Sequence, residues 1–256
     1  MPKVSLLTYT ENPEKLVAAA AKLCYSSSAA DKLLEGLDED KTEHFVQMLA
    51  EIGHESPIEH CSFTFSIAGV SRAFLAQMTR HRIASYSVQS QRYVEENEFG
   101  YVTPPEIAGS PQALALFEQA MDSALQSYKA IADILRSGHQ RALMDAGAEE
   151  KEAVRKASKM AIEDARFVLP NACDTNMVVT MNARSLLNFF RHRCCNRAQW
   201  EIHAVADQML RLTRGVAPTL FSWAGPPCLR GSCPEGKMTC GKISAVREYY
   251  TGSGNT

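Results

Sequence analysis

The chain has no G-x-G-x-x-G run after a strand-like segment and no G-x-x-x-x-G-K-[S/T]. A Rossmann-type dinucleotide site and a P-loop are therefore not supported. No apolar run approaches the roughly 18–20 residues that a membrane span needs. The first residues, MPKVSLLTYTENPEK, lack the long apolar stretch of a cleavable signal. The expectation is a cytoplasmic protein with no membrane partner. A surplus of basic charge is missing as well. With a net charge of -2 over 256 residues, a general nucleic-acid binder is disfavoured, and the basic residues matter locally. There is no internal repeat. The 45% hydrophobic content is ordinary and allows a sizeable core.

Eight cysteines are present. Cys24, Cys61 and Cys173 stand in apolar surroundings and read as buried thiols, reduced in the cytosol. Cys194 and Cys195 adjoin basic residues that could lower a thiol pKa, but they read as structural. Cys228-x4-Cys233-x6-Cys240 offers three thiols and no nearby histidine, whereas zinc ribbons use four ligands and shorter spacings. A fourth ligand would have to come from another subunit or from Cys194 or Cys195. No metal site is expected, and this Cys/Gly/Pro-rich segment, residues 226–256, reads as a flexible or subunit-bridging tail to a single catalytic domain over 1–225.

Along the chain, Val4–Tyr9 reads as a strand. Asn12-Pro13 opens a helix to about Cys24. Lys32–Asp40 reads as loop, and Thr42 as the cap of a helix that Gly53 ends. Phe63, Phe65 and Ile67 alternate within a strand over Cys61–Val70. Ser71 caps a short helix that delivers Arg80-His81-Arg82. Ile83–Gln91 reads as a polar loop, with strand pieces at Tyr93-Val94 and Phe99–Val102. Ser110-Pro111 starts a long helix to about Leu135, whose apolar residues recur at three- and four-residue intervals. A helix over Ala148–Val168, a strand over Asn176–Met181, an Asn182-capped helix to about Cys194 and a helix over Ala198–Arg214 complete the pattern. Strands flanking a helical middle indicate an α+β fold with an antiparallel or mixed sheet.

The chemistry concentrates in RHRIASYSVQSQR. Three arginines and a histidine stand beside the hydroxyls of Ser85, Ser87 and Ser90 and the amides of Gln89 and Gln91. Guanidinium groups grip phosphate through paired, charge-assisted hydrogen bonds. Hydroxyls and amides donate and accept, as a pyrimidine edge requires. On residue types alone this is a phosphate-rich ligand site.

Arg80-His81-Arg82, seven residues, then Ser90 also resembles the signature of the flavin-dependent thymidylate synthases. His54-Glu55-Ser56-Pro57-Ile58-Glu59-His60 and Asn182-Ala183-Arg184-Ser185, with Asn188 and Arg193, resemble two further motifs of that family, in the same order. The likeness runs from about Lys3 to Gly225. It implies a mostly antiparallel central sheet wrapped by long helices and assembled as a homotetramer. It also implies reductive methylation of dUMP to dTMP, with FAD as cofactor and methylenetetrahydrofolate and NADPH as co-substrates.

Carried over by motif, Gln77, Arg80, Ser90, Gln91, Arg92, Arg166 and Arg193 are implied to bind dUMP. His54, Ser56, Glu59, Arg80, His81, Arg82, Ile83, Ser87, Asn182, Arg184 and Asn188 are implied to bind FAD. His54 and Tyr93 are implied to face folate, and Arg193 to stabilise negative charge on the uracil ring. One departure is Val88, where the family usually has Glu or Gln. Either Gln89 replaces the lost contact through a shifted loop, or dUMP binds with one hydrogen bond fewer. Ser90 has no adjacent base and acidic third member, so it reads as a positioning residue and not a nucleophile. Two other classes remain as alternatives: a nucleotide-binding protein without chemistry, and a nucleic-acid binder built on the basic stretch FFRHRCCNR.

Overall fold

The structure is a computed structural model that describes residues 2–91 and 100–252. Its elements, in order, are β1 (Lys3–Tyr9), α1 (Pro13–Leu23), α2 (Ala30–Glu35), α3 (Glu39–Ile52), β2 (Ser62–Ser71), α4 (Arg72–Met78), β3 (Ser85–Val88), α5 (Pro105–Ala108), α6 (Pro111–Asp145), α7 (Glu150–Ala165), β4 (Asp174–Asn182), α8 (Ala183–Arg193), α9 (Trp200–Val216) and α10 (Ile243–Thr251). The chain divides into two compact units. One comprises residues 69–75 and 88–176, the other residues 2–68, 76–87 and 177–256.

The four strands make one sheet in the order β1-β2-β4-β3. β1 and β2 are antiparallel. β2 and β4 also run in opposite directions: Ala183 N–H donates to Cys61 O at 3.0 Å, and Thr64 meets Thr180 hydroxyl to hydroxyl at 2.9 Å further in. The class is therefore α+β, as expected. In the larger unit, alternation along β2 buries Phe63, Phe65 and Ile67 completely, and β4 buries Met177, Val179 and Met181 beside them. The apolar faces of α8 (Leu186, Phe189, Phe190) and α9 (Ile202, Val205, Met209) complete that core. Phe221 sets its ring edge-on to Phe63 at 5.4 Å and to Phe190 at 6.0 Å.

The smaller unit is organised by the hairpin of α6 and α7. Thirty-five residues at 1.5 Å each make α6 about 52 Å long. Small residues on α7 (Ala153, Ala157, Ala161) form an i, i+4 stripe with no exposed surface, which lets the two helices approach closely. Ser110 caps α6 by accepting from Ala113 N–H at 3.4 Å.

Several expectations are corrected. α6 runs ten residues past Leu135, because Arg136, Ser137 and Gly138 interrupt its apolar pattern without breaking its backbone. Lys32–Asp40 is not a loop: α2 ends there and α3 begins. Asp38, not Thr42, caps α3, by accepting from Lys41 N–H at 2.9 Å; Thr42 lies inside the helix. Asn12 precedes α1 in a left-handed conformation and makes no side-chain cap. Ile83–Gln91 contains β3. Cys24 is exposed, whereas Cys61 and Cys173 are buried. Tyr101 bridges Cys173, while Tyr93-Val94 and Phe99 lie outside the described residues.

The segment after residue 225 is not a loose tail. Arg214 donates to the carbonyls of Tyr250 (2.8 Å), Phe221 (3.2 Å), Ser222 (3.3 Å) and Ala224 (3.0 Å). The buried Tyr250 hydroxyl bonds Asp207 at 2.6 Å and the Cys194 carbonyl at 2.9 Å. Both sets of bonds anchor α10. No described helix is long and apolar enough to cross a membrane.

Candidate functional site

One group of candidate residues gathers at the turn between α4 and β3. Ser71 starts α4 by accepting from Phe74 N–H at 3.0 Å. Past Met78 the helix closes in a turn, with His81 N–H donating to Met78 O at 3.1 Å. Tyr86, pointing inward from β3, shares its hydroxyl proton between Met78 O (2.9 Å) and His81 O (2.7 Å). Burial pushes the Tyr86 phenol up to about 12, so it stays a donor. This tie leaves Arg80, Arg82 and Ile83 exposed. Tyr86 falls among the seven unspecified residues between Arg82 and Ser90, so its alternation with Ser85 and Ser87 is the sequence signal for it.

Arg193, the last residue of α8, reaches the same turn. Its Nε donates to His81 Nε2 at 3.1 Å and its Nη2 to Gln77 O at 3.4 Å. The His81 ring also packs edge-on against Phe189 at 4.9 Å. Burial, then the neighbouring charges of Arg193 and His192, hold the His81 pKa down at about 4. The ring is thus a neutral acceptor that orients the guanidinium. Arg193 itself is pushed downward, first by burial and then by Arg80. Two arginines repelling one another around a neutral imidazole make a positive centre suited to an anion. Gln77, Arg80, His81 and Arg193, predicted from separate motifs, are therefore brought together.

A second cluster fixes the segment before β2 to α8. Arg184 donates to Glu55 at 3.0 Å and to Glu59 at 2.5 Å, and the bond it gives Glu59 chiefly raises its pKa. Glu55 was not singled out as a site residue, although it stands within the quoted motif. His54 Nε2 and Ser56 Oγ lie 3.1 Å apart. Asn182 caps α8, its side chain accepting from Ser185 N–H at 2.8 Å. Asn188 is exposed one turn beyond Arg184, on the same helical stripe. Ser87 is exposed on β3.

In the smaller unit, Gln89 is committed to β4. Its N–H donates to Asn176 O at 2.9 Å, and its side-chain carbonyl accepts from Asn176 Nδ2 at 2.8 Å. The Gln89 side-chain oxygen is thus already engaged by β4. Gln91 Nε2 is buried without a hydrogen-bond partner among the described residues, which suits a donor awaiting a ligand. Ser90 beside it is partly buried. Arg166 sits in the turn after α7, donating through Nε to Glu163 O at 3.0 Å and lying 5.8 Å from the Phe167 ring centroid. Arg92 and Tyr93 lie outside the described residues.

The fold is α+β, with arginines gathered at the turn after α4 and along α8. Residues 5–219 match the model of the family described as thymidylate synthase complementing protein. The chain is 51% identical to a flavin-dependent thymidylate synthase of Clostridium tetani, over 97% of this chain and 96% of that one. It is 47% identical to one of Geobacter sulfurreducens, over 97% of each chain, and 37% identical to one of Pyrococcus abyssi. The chain belongs to the thymidylate synthase complementing protein family.

Proposed function

We propose that this protein is a flavin-dependent thymidylate synthase. It is an enzyme that methylates dUMP reductively to dTMP, with methylenetetrahydrofolate as one-carbon donor and NADPH-reduced FAD as hydride source, acting in the cytoplasm. The observation that carries this reading is the positive centre of Arg193 and Arg80 around neutral His81. A pyrimidine gaining electron density at a carbonyl oxygen is the kind of anion that such a centre stabilises.

The donor set fits FAD. Its diphosphate calls for guanidinium forks, and Arg80 and Arg82 are exposed on the α4–β3 turn. We assign FAD binding to these residues with His81, Ile83 and Ser87, and to His54, Ser56, Glu59, Asn182, Arg184 and Asn188. Arg184 has first to share its guanidinium with Glu55 and Glu59, so its role is to hold the 54–59 segment against α8 as well as to meet the cofactor. When bound, FAD supplies the hydride chemistry.

For dUMP we assign Gln77, Arg80, Ser90, Gln91, Arg92, Arg166 and Arg193. Ser90 and Gln91 donate hydrogen bonds, and the arginines meet phosphate. Arg193, fixed in plane by His81 and the Gln77 carbonyl, presents a permanent charge to the ring and cannot become a base. His54 and Tyr93 face folate. We take residues 1–225 as the catalytic part and 226–256 as its C-terminal extension. A homotetramer is part of the same proposal, supported by large apolar side chains left exposed on α6 and after α7: Leu116 (69%), Ile134 (72%) and Phe167 (81%).

The test is tritium release from C5-labelled dUMP with reduced FAD and methylenetetrahydrofolate. Wild-type protein is expected to release label and form dTMP, and Arg193→Ala to lose at least about a hundredfold in rate, the scale of one electrostatic catalytic group. Release at the wild-type rate from Arg193→Ala would remove Arg193 from the chemistry. A colourless protein that takes up no added FAD, yet binds dUMP, would overturn the enzymatic reading.

A further inference from the structure

The C-terminal segment contains a feature that the proposed reaction does not use. Four of the eight cysteines, Cys195, Cys228, Cys233 and Cys240, line one small cavity of about 20 Å³. That is room for roughly one water-sized body, too little for an organic ligand. Cys195 comes from the turn just after α8. The other three lie on a loop over residues 228–240 whose only regular pieces are two three-residue turns, Pro227–Leu229 and Gly236–Met238. All four are free thiols.

The loop has little else to hold it. Nearly every residue from 230 to 241 is exposed, so apolar burial contributes almost nothing there, while ordering each residue costs about 1–2 kcal/mol. Its compactness is supported from the rim. Arg247 donates to the carbonyls of Cys228 (2.9 Å) and Gly231 (2.7 Å), and Arg197 pairs with Glu235. Asn196 Nδ2 points at Cys240 Sγ from 3.9 Å, the kind of outer contact that orients a thiolate ligand. Gly236 (φ 51°) and Gly241 (φ 71°) adopt left-handed conformations on either side of Cys240, which lines the cavity.

We propose that Cys195, Cys228, Cys233 and Cys240 form a tetrathiolate site for a thiophilic divalent cation, zinc by preference, which staples the 228–240 loop to the end of α8. Four sulfurs from two chain segments match the tetrahedral, closed ligand set of structural zinc. The sequence spacing supplied only three of the ligands. The fold supplies the fourth and distinguishes Cys195 from its neighbour: Cys194 is fully buried and its carbonyl, the acceptor for Tyr250, belongs to the α10 anchor. Among the described residues no three Cys, His, Asp or Glu side chains are already grouped closely enough to hold a metal ion, so binding requires the thiols to turn inward about their Cα–Cβ bonds. The cation replaces the thiol protons, so affinity falls as the pH falls.

The experiment uses the full chain, reduced, loaded with zinc and dialysed against metal-free buffer. Elemental analysis is expected to give about one zinc per chain, the stoichiometry of a single closed site. Cobalt(II) in its place is expected to give the visible d–d bands of tetrahedral thiolate coordination. Cys233→Ser and Cys240→Ser, both at accessible loop positions, are expected to lose the ion and the bands, while Cys24→Ser keeps both. Full zinc content in the two loop variants would overturn the proposal, as would absence of bound zinc or cobalt after loading. Intact masses lower by the hydrogens of one or two disulfides before reduction, with no metal taken up after it, would overturn it in favour of a redox pair. None of these readouts depends on dTMP formation.

Discussion

Acidification is expected to destabilise this protein through His81. In the folded chain burial, Arg193 and His192 hold its pKa at about 4, against an ordinary value of 6.5. Between those values the unfolded chain binds a proton that the folded one refuses. The contribution to stability is therefore complete above 6.5 and is lost as the pH falls toward about 4. Each unit is worth about 1.4 kcal/mol, so the whole window has a ceiling of about 3.5 kcal/mol. The ring is only partly buried, and solvent screening brings the expected loss to roughly 1–2 kcal/mol. The perturbation is His81→Gln, which keeps a hydrogen-bonding side chain but cannot titrate. The assay is urea unfolding of wild type and variant at about pH 7.5 and about pH 5, with the difference of differences isolating one group from the other histidines. The variant should be less stable than wild type at the higher pH and lose about 1–2 kcal/mol less on acidification. Equal losses in the two proteins would refute the claim that burial and Arg193 keep this imidazole neutral.

Three further outcomes follow from the geometry. Tyr86→Phe removes the donor shared by two carbonyls of the α4–β3 turn and should cost about 1–2 kcal/mol in chemical denaturation; an unchanged midpoint would mean that the turn holds itself. Val88→Glu restores an acceptor to a strand position whose neighbour Gln89 is committed to Asn176, and should tighten dUMP binding by up to about tenfold, the worth of one hydrogen bond, as read by calorimetry. Arg214→Ala strips donors from four carbonyls and should cost about 2–3 kcal/mol. Amide exchange over 243–251 should then accelerate before the rest of the chain is affected.

How far the sequence could be read depended on the range of the interactions involved. Helix ends written in local chemistry were legible: Ser71, Ser110 and Asn182 cap as their residue types suggest, and Gly53 ends α3 with φ 71°. β3 was hidden because Ser85 and Ser87 made an alternating strand look like a polar loop. α2 was hidden by its mix of charged and apolar residues over only six positions. The motifs identified Gln77, His81 and Arg193 as site residues. They did not reveal that Arg193 reaches His81 across 112 positions of sequence, because that contact depends on how α8 ends against the α4 turn. Glu55, Tyr86 and Phe189 escaped notice for the same reason: each acts by supporting a neighbour, and nothing in its own residue type announces that. For the cysteine loop the sequence left open whether Cys194, Cys195 or another subunit stands nearest, because Cys195 lies 33 positions before Cys228.

The Tyr250 hydroxyl rests on the carbonyl of Cys194, the residue immediately after Arg193. Translation runs from the N-terminus, so a growing chain carries Arg193, His81 and Gln77 long before it carries the side chain that fastens the end of α8. The end of α8 is thus fastened by a residue 56 positions further along the chain. A chain that stops short of α10 has Gln77, His81 and Arg193 but lacks the hydroxyl that ties the residue after Arg193.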